Sequence, residues 1–121
     1  VFMFSSPCNP SGAVYSREEL AALVKVFEQH PNIYIIADEI YEYINYVGEH
    51  ASIASFDSIK DRVLLINGLS KGFAMTGWRF GYMAAHPSIA KACEKIQGQF
   101  TSATSSITQK AAIAALTGTL E

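Results

Sequence analysis

Residues 67–79 read Asn67-Gly68-Leu69-Ser70-Lys71-Gly72-Phe73-Ala74-Met75-Thr76-Gly77-Trp78-Arg79, and they follow the apolar run Val63-Leu64-Leu65-Ile66. A short unbroken apolar run that stops at Asn-Gly fits a strand covered on both faces, as in a parallel sheet. Open parallel sheets bind ligands in the crevice outside the carboxyl ends of their strands. Lys71 stands just past such an end, where α/β proteins place their chemistry.

Working outward, Val1 to Ser5 reads as a short buried strand, closed by the turn cluster Ser6-Pro7-Cys8-Asn9-Pro10-Ser11-Gly12. The loop Ser6 to Tyr15 contains Asn9-Pro10, a candidate cis peptide. Ser16 and Glu19 then form a capping box, with Leu20, Leu23, Val24 and Phe27 on one face, which predicts a helix from Arg17 to Gln29. His30-Pro31-Asn32 breaks it, and Ile33 to Ala37 follows as a second buried strand, giving a right-handed βαβ unit.

Two readings fit Asp38, at the end of that strand. Its carboxylate caps the following turn, or it shares a crevice with Tyr41, three residues on, if the chain turns helical there. Tyr43, Ile44, Tyr46 and Val47 read as an aromatic, partly extended segment whose rings cover core, and Gly48 to Ile59 as a loop of little regular structure. Phe80 to Ala85 is a fourth strand. The connection to it is short for a parallel crossover, so it is expected antiparallel to Val63 to Ile66. His86-Pro87-Ser88 opens a helix with Ile89, Cys93, Ile96 and Phe100 on one stripe. Ser106 and Gln109 read as a second capping box ahead of the alanine-rich helix Ala111 to Leu116, stopped by Gly118.

Composition narrows the function classes. With 121 residues, 50% of them hydrophobic and 17% charged, the chain makes one domain at most, with a respectable core. A net charge of -2 and a pI near 5.9 leave no clustered Lys and Arg for nucleic acid or a polybasic membrane contact. No apolar run is long enough to span a bilayer, and no signal-peptide layout opens the chain, so a cytoplasmic location is expected. Cys8 and Cys93 form neither a disulfide framework nor a metal pair and read as small buried hydrophobes. His30, His50 and His86 are spread too widely for a metal cluster, and no metal is expected. A start inside a strand-like run, with no initiator methionine, suggests a piece of a longer protein. Neither G-x-G-x-x-G nor G-x-x-x-x-G-K-[ST] occurs, which speaks against a nucleotide-binding domain.

The segments S-P-C-N-P-S-G, A-D-E-I-Y and L-S-K-G-F-A-M-T-G-W-R-F-G-Y resemble the central large-domain motifs of class I, fold type I aminotransferases dependent on pyridoxal phosphate. They stand in family order across essentially the whole chain, and M-T-G-W-R with D-E-I-Y-E looks most like the bacterial aspartate aminotransferase branch. The resemblance implies a three-layer α/β fold with a mostly parallel sheet and one antiparallel strand, residues 1–121 being a partial large domain without a complete second domain. It implies that Lys71 is the Schiff-base lysine and proton shuttle, and that Asp38 pairs with the pyridine nitrogen. Tyr41 and Asn9 would hold the phenolic oxygen, while Arg79 and Ser70 would bind the phosphate. Amino-acid and 2-oxo-acid substrates and a homodimeric parent protein are implied too.

Two departures stand out. Many relatives carry serine three residues before the lysine, where this chain has Gly68. The family's upstream phosphate turn, its ring-stacking aromatic and its downstream substrate-carboxylate arginine have no counterpart here, so residues 1–121 alone are expected to be inactive. A non-transaminating relative on the same fold, a lyase, a synthase or a cofactor-binding regulator, is the competing reading. A regulator calls for a basic recognition helix, and none is visible.

Overall fold

The computed structural model describes residues 1–118. Four strands, β1 (Phe2–Ser5), β2 (Ile35–Asp38), β3 (Val63–Gly68) and β4 (Gly81–Ala84), form one open sheet in the order β1-β2-β3-β4. The first three are parallel and β4 runs antiparallel to β3, as the short connection requires. Helix α1 (Arg17–Glu28) joins β1 to β2, and α2 (Pro87–Phe100) and α3 (Ser106–Thr117) follow β4.

Helix α1 begins where its cap chemistry directs. Ser16 Oγ accepts the Glu19 amide at 3.2 Å while Glu19 Oε2 accepts the Ser16 amide at 2.8 Å, so two orphan donors are satisfied reciprocally. Its buried face, Leu20, Val24 and Phe27, lies with Ile35, Ala37 and Val63 of the sheet in a single core. Ile53 and Ile59 complete that core, and the segment between Gly48 and Ile59 carries a 3-10 turn at Ile53–Ser55. That segment is a loop of little regular structure, as expected, and it serves as a strap that adds Ile53 and Ile59 to the core.

Element bounds shift for identifiable reasons. β3 extends past Ile66 to Gly68 because Asn67 and Gly68 pair with Tyr82 and Gly81 of β4. β2 begins at Ile35, since Ile33 closes a turn on His30 O at 3.1 Å, and it includes Asp38, opposite Ser5 and Ile66. β4 is limited to Gly81–Ala84. Helix α3 starts at Ser106 with Ser105 as its cap, and the expected second capping box does not form: Gln109 Nε2 donates to Thr104 O at 2.7 Å. Gly118 ends the helix as expected, while 119–121 lie outside the described residues.

The helix expected after His86 forms with no residue buried, and its stripe stands open at Ile96 (61% exposed) and Phe100 (82%). Two further expectations are corrected. Cys8 and Cys93 are half-buried free thiols. Tyr46 is 92% exposed and covers no core, in a segment that winds through successive turns instead of extending.

Candidate active site

The pairing register places Ser5, Asp38 and Ile66 side by side, so three parallel strands deliver their following segments to one edge of the sheet. Beyond β1, the buried Ser6 Oγ accepts the Tyr15 amide at 3.0 Å, and the Cys8 amide donates to Ala13 O at 2.9 Å. These bonds fold the first loop back over the strand end. Asn9-Pro10 is cis, as its sequence allowed, and so is Ser6-Pro7.

Beyond β2 the chain turns at once. Asp38 Oδ1 accepts the Ile40 amide at 3.1 Å, the Glu39 amide donates to Ile66 O at 2.9 Å, and the Glu42 amide to Glu39 O at 2.9 Å. Asp38 thus caps its own turn with one oxygen, and its second has no hydrogen-bond partner among the described residues. The same turn carries Tyr41 to Asn9, whose Nδ2 donates to the phenol oxygen across 3.1 Å.

Beyond β3 the lysine rides on a closed loop. The Leu69 amide reaches Phe80 O at 3.4 Å across its base, the Met75 amide donates to Leu69 O at 3.1 Å, and the Ala74 amide to Lys71 O at 3.0 Å. Ala74 and Arg79 adopt left-handed backbone (φ 52 and 53), a conformation non-glycine residues hold only under constraint. Thr76 links two candidates: its hydroxyl donates to Ser70 O at 2.9 Å, and its carbonyl accepts Arg79 Nη1 at 2.9 Å. Lys71 Nζ lies 5.7 Å from the centre of the Tyr41 ring and has no hydrogen bond or ion pair among the described residues. Asn9, Tyr41 and Lys71 are therefore directly associated. Ser70 and Arg79 are joined through Thr76, and Asp38 stands at the strand end that starts the Tyr41 turn.

Gly68 has a local reason. A Cβ there would lie 2.8 Å from Phe80 O and 3.0 Å from the Gly81 Cα, both backbone atoms, so a side chain has no room in this antiparallel crossing.

Sequence reasoning missed one cluster beside these residues. Glu39 is almost fully buried, yet its carboxylate accepts from Ser52 Oγ at 2.8 Å and meets His50 Nε2 at 2.7 Å. Glu42 brings a second carboxylate to the group, whose ligand atoms lie within 4.8 Å of one another, although the histidines look widely scattered in the sequence. An acidic residue next to Asp38 in a buried strand was the available signal. Its partners, many residues away, carried none.

The whole chain, residues 1–121, matches the family model of aminotransferase class I and II. The chain belongs to that family. Class I and II aminotransferases depend on pyridoxal phosphate. A bifunctional aspartate aminotransferase and glutamate/aspartate-prephenate aminotransferase of Petunia hybrida is 50% identical over 117 residues, 96% of this chain and 24% of that protein. The crystal structure of the aspartate aminotransferase from Rhizobium meliloti superposes with a TM-score of 0.94 at 40% identity, over 97% of this chain and 30% of that one. An aromatic aminotransferase from Pyrococcus horikoshii OT3 superposes with a TM-score of 0.91 at 38% identity, over 96% of this chain and 31% of that one. The chain thus spans between about a quarter and a third of the length of these aminotransferases.

Proposed function

We propose that residues 1–121 are part of the large, cofactor-binding domain of an aminotransferase that exchanges amino and keto groups between an amino acid, aspartate among the candidates, and 2-oxoglutarate. The observation that carries this reading is the meeting of three segments at one sheet edge, with Asn9 bonded to Tyr41 and Lys71 Nζ over the Tyr41 ring.

The donor set suits pyridoxal phosphate. Lys71 offers an unpaired amine for its aldehyde and Asp38 a free carboxylate oxygen for its pyridine nitrogen. Tyr41 and Asn9 offer a phenol and an amide for its phenolic oxygen, and Arg79, with the Ser70 hydroxyl, a planar cation for its phosphate. When bound, the cofactor supplies an electron sink for the carbon that loses its proton. Asp38 keeps the pyridine nitrogen protonated, and Lys71 Nζ takes and returns the substrate α-proton. Thr76 holds Ser70 and Arg79 in one frame, so the two groups that would hold the phosphate are positioned together.

The whole protein is read as a cytoplasmic homodimer, and residues 1–121 alone as inactive. The sequence similarity to aspartate aminotransferases favours that substrate, while the likeness to an aromatic aminotransferase leaves side-chain specificity to residues elsewhere. The test is Lys71→Ala in the full-length protein. Transamination should be abolished with the circular dichroism spectrum unchanged, and activity near wild type would overturn the assignment.

A further inference from the structure

The segments that carry Tyr41 and Lys71 also meet at a second contact. Tyr43 lies in the turn closed by the Ile44 amide on Tyr41 O at 2.8 Å, and its ring rests on Gly72, the residue after the lysine. A Cβ on Gly72 would stand 2.6 Å from Tyr43 Cδ2, 2.9 Å from its Cβ and 3.0 Å from its Cγ. The root of the aromatic side chain fills that space, and a root cannot swing away as a flexible tip can. Phe73 packs edge-on against the same ring, with centroids 5.3 Å apart and planes at 77°.

Of the other bonds of the lysine loop, Met75 to Leu69, Thr76 to Ser70 and Ala74 to Lys71 run within the loop, and Leu69 to Phe80 O closes its base beside β4. None of these reaches the β2 turn, whereas Tyr43 belongs to that turn and touches the loop beside Lys71.

We propose that Tyr43 and Gly72 are a size-matched pair whose contact sets the place of Lys71 over Tyr41, which makes Tyr43 a positioning residue for the lysine. The inference rests on Lys71 being the point of cofactor attachment. A displacement near 1 Å at a reacting amine costs up to about a hundredfold in rate, so a methyl group at position 72 is a sensitive probe.

The experiment follows covalent attachment of pyridoxal phosphate to cofactor-stripped full-length protein, trapped with borohydride and quantified on the Lys71 peptide, with melting temperatures alongside. Gly72→Ala should slow attachment about tenfold or more, and Tyr43→Ala, which leaves the loop unsupported, about threefold. The double variant should attach faster than Gly72→Ala, because the two ring contacts at 2.6 and 3.0 Å are then gone and only the Cβ contact at 2.9 Å remains. Tyr43→Phe, which keeps the ring, should recover most of the rate lost in Tyr43→Ala. Attachment to Gly72→Ala at the wild-type rate, or a double variant no faster than Gly72→Ala, would overturn the pairing. So would rates that follow melting temperature alone across the series. A wild-type protein that forms no Lys71 adduct would remove the cofactor reading itself, a different failure.

Discussion

Glu39 and His50 meet at 2.7 Å, with the glutamate side chain 4% exposed and the histidine 16%. The pair ties the strap after Gly48 to the peptide immediately following Asp38. Glu39 follows β2 directly, so the buried glutamate anchors the start of the turn that Asp38 caps. His50→Ala would leave the Glu39 carboxylate buried with Ser52 as its remaining side-chain donor among the described residues. We expect a loss of about 3 kcal/mol in urea unfolding. A loss below about 1 kcal/mol would show that the pair is no anchor.

The Asn9 to Tyr41 hydrogen bond is exposed and contributes little to folding. Tyr41→Phe should therefore change unfolding free energy by no more than about 0.5 kcal/mol. In the full-length protein it should lower kcat/KM about tenfold, because on the proposed reading the lost hydroxyl would hold the cofactor's phenolic oxygen. A large change in stability with normal kinetics would place the tyrosine in the scaffold instead.

Arg62 is a staple that no local pattern announces. Its guanidinium donates to Phe27 O at 3.1 Å, His30 O at 3.0 Å and Ile33 O at 2.8 Å, joining the end of α1 to the approach to β2 just ahead of β3. Arg62→Ala removes three hydrogen bonds at once, with Phe27 O and His30 O keeping backbone donors, and denaturant titration should register about 2 kcal/mol. Arg62→Lys should recover only part of it, since an ammonium cannot reproduce the planar fork.

Burial raises the Tyr43 phenol above its ordinary value of 10.0, and the neighbouring Glu42 carboxylate adds to the effect. The fold then holds a proton that the unfolded chain releases sooner. Its contribution to stability is complete below about pH 10 and declines as pH rises from there through the folded-state value. Ultraviolet titration should show a phenol ionising late that Tyr43→Phe removes, and the variant should lose less stability than the wild type above that pH.

How far the sequence spoke depends on whether a signal was local. Ser16 and Glu19 named the start of α1 because a capping box is complete within four residues, and the short span between Gly68 and Gly81 required an antiparallel return. Asn9, Asp38, Tyr41 and Lys71 were legible as strand-end polar residues, and the register of three parallel strands brings their segments to one edge. Ile53 and Ile59 were missed because a strap wound in short turns has no period, although both are buried as fully as any strand residue. The stripe on α2 was legible, but what it meets was not. Its period is genuine, but Ile96 and Phe100 face outward, beside a broad groove lined by Met83, Glu94 and Gln97. Amphipathic spacing specifies a helix face that seeks cover without saying what covers it.

The central claim is that Lys71 is the attachment point for pyridoxal phosphate. Reduction of the loaded full-length protein with borohydride, followed by peptide mass mapping, tests it most directly. The account predicts a single dominant adduct on Lys71, formed in stoichiometric amount and absent from Lys71→Ala. Labelling scattered over Lys25, Lys60, Lys91 and other exposed lysines, with Lys71 not preferred, would contradict it.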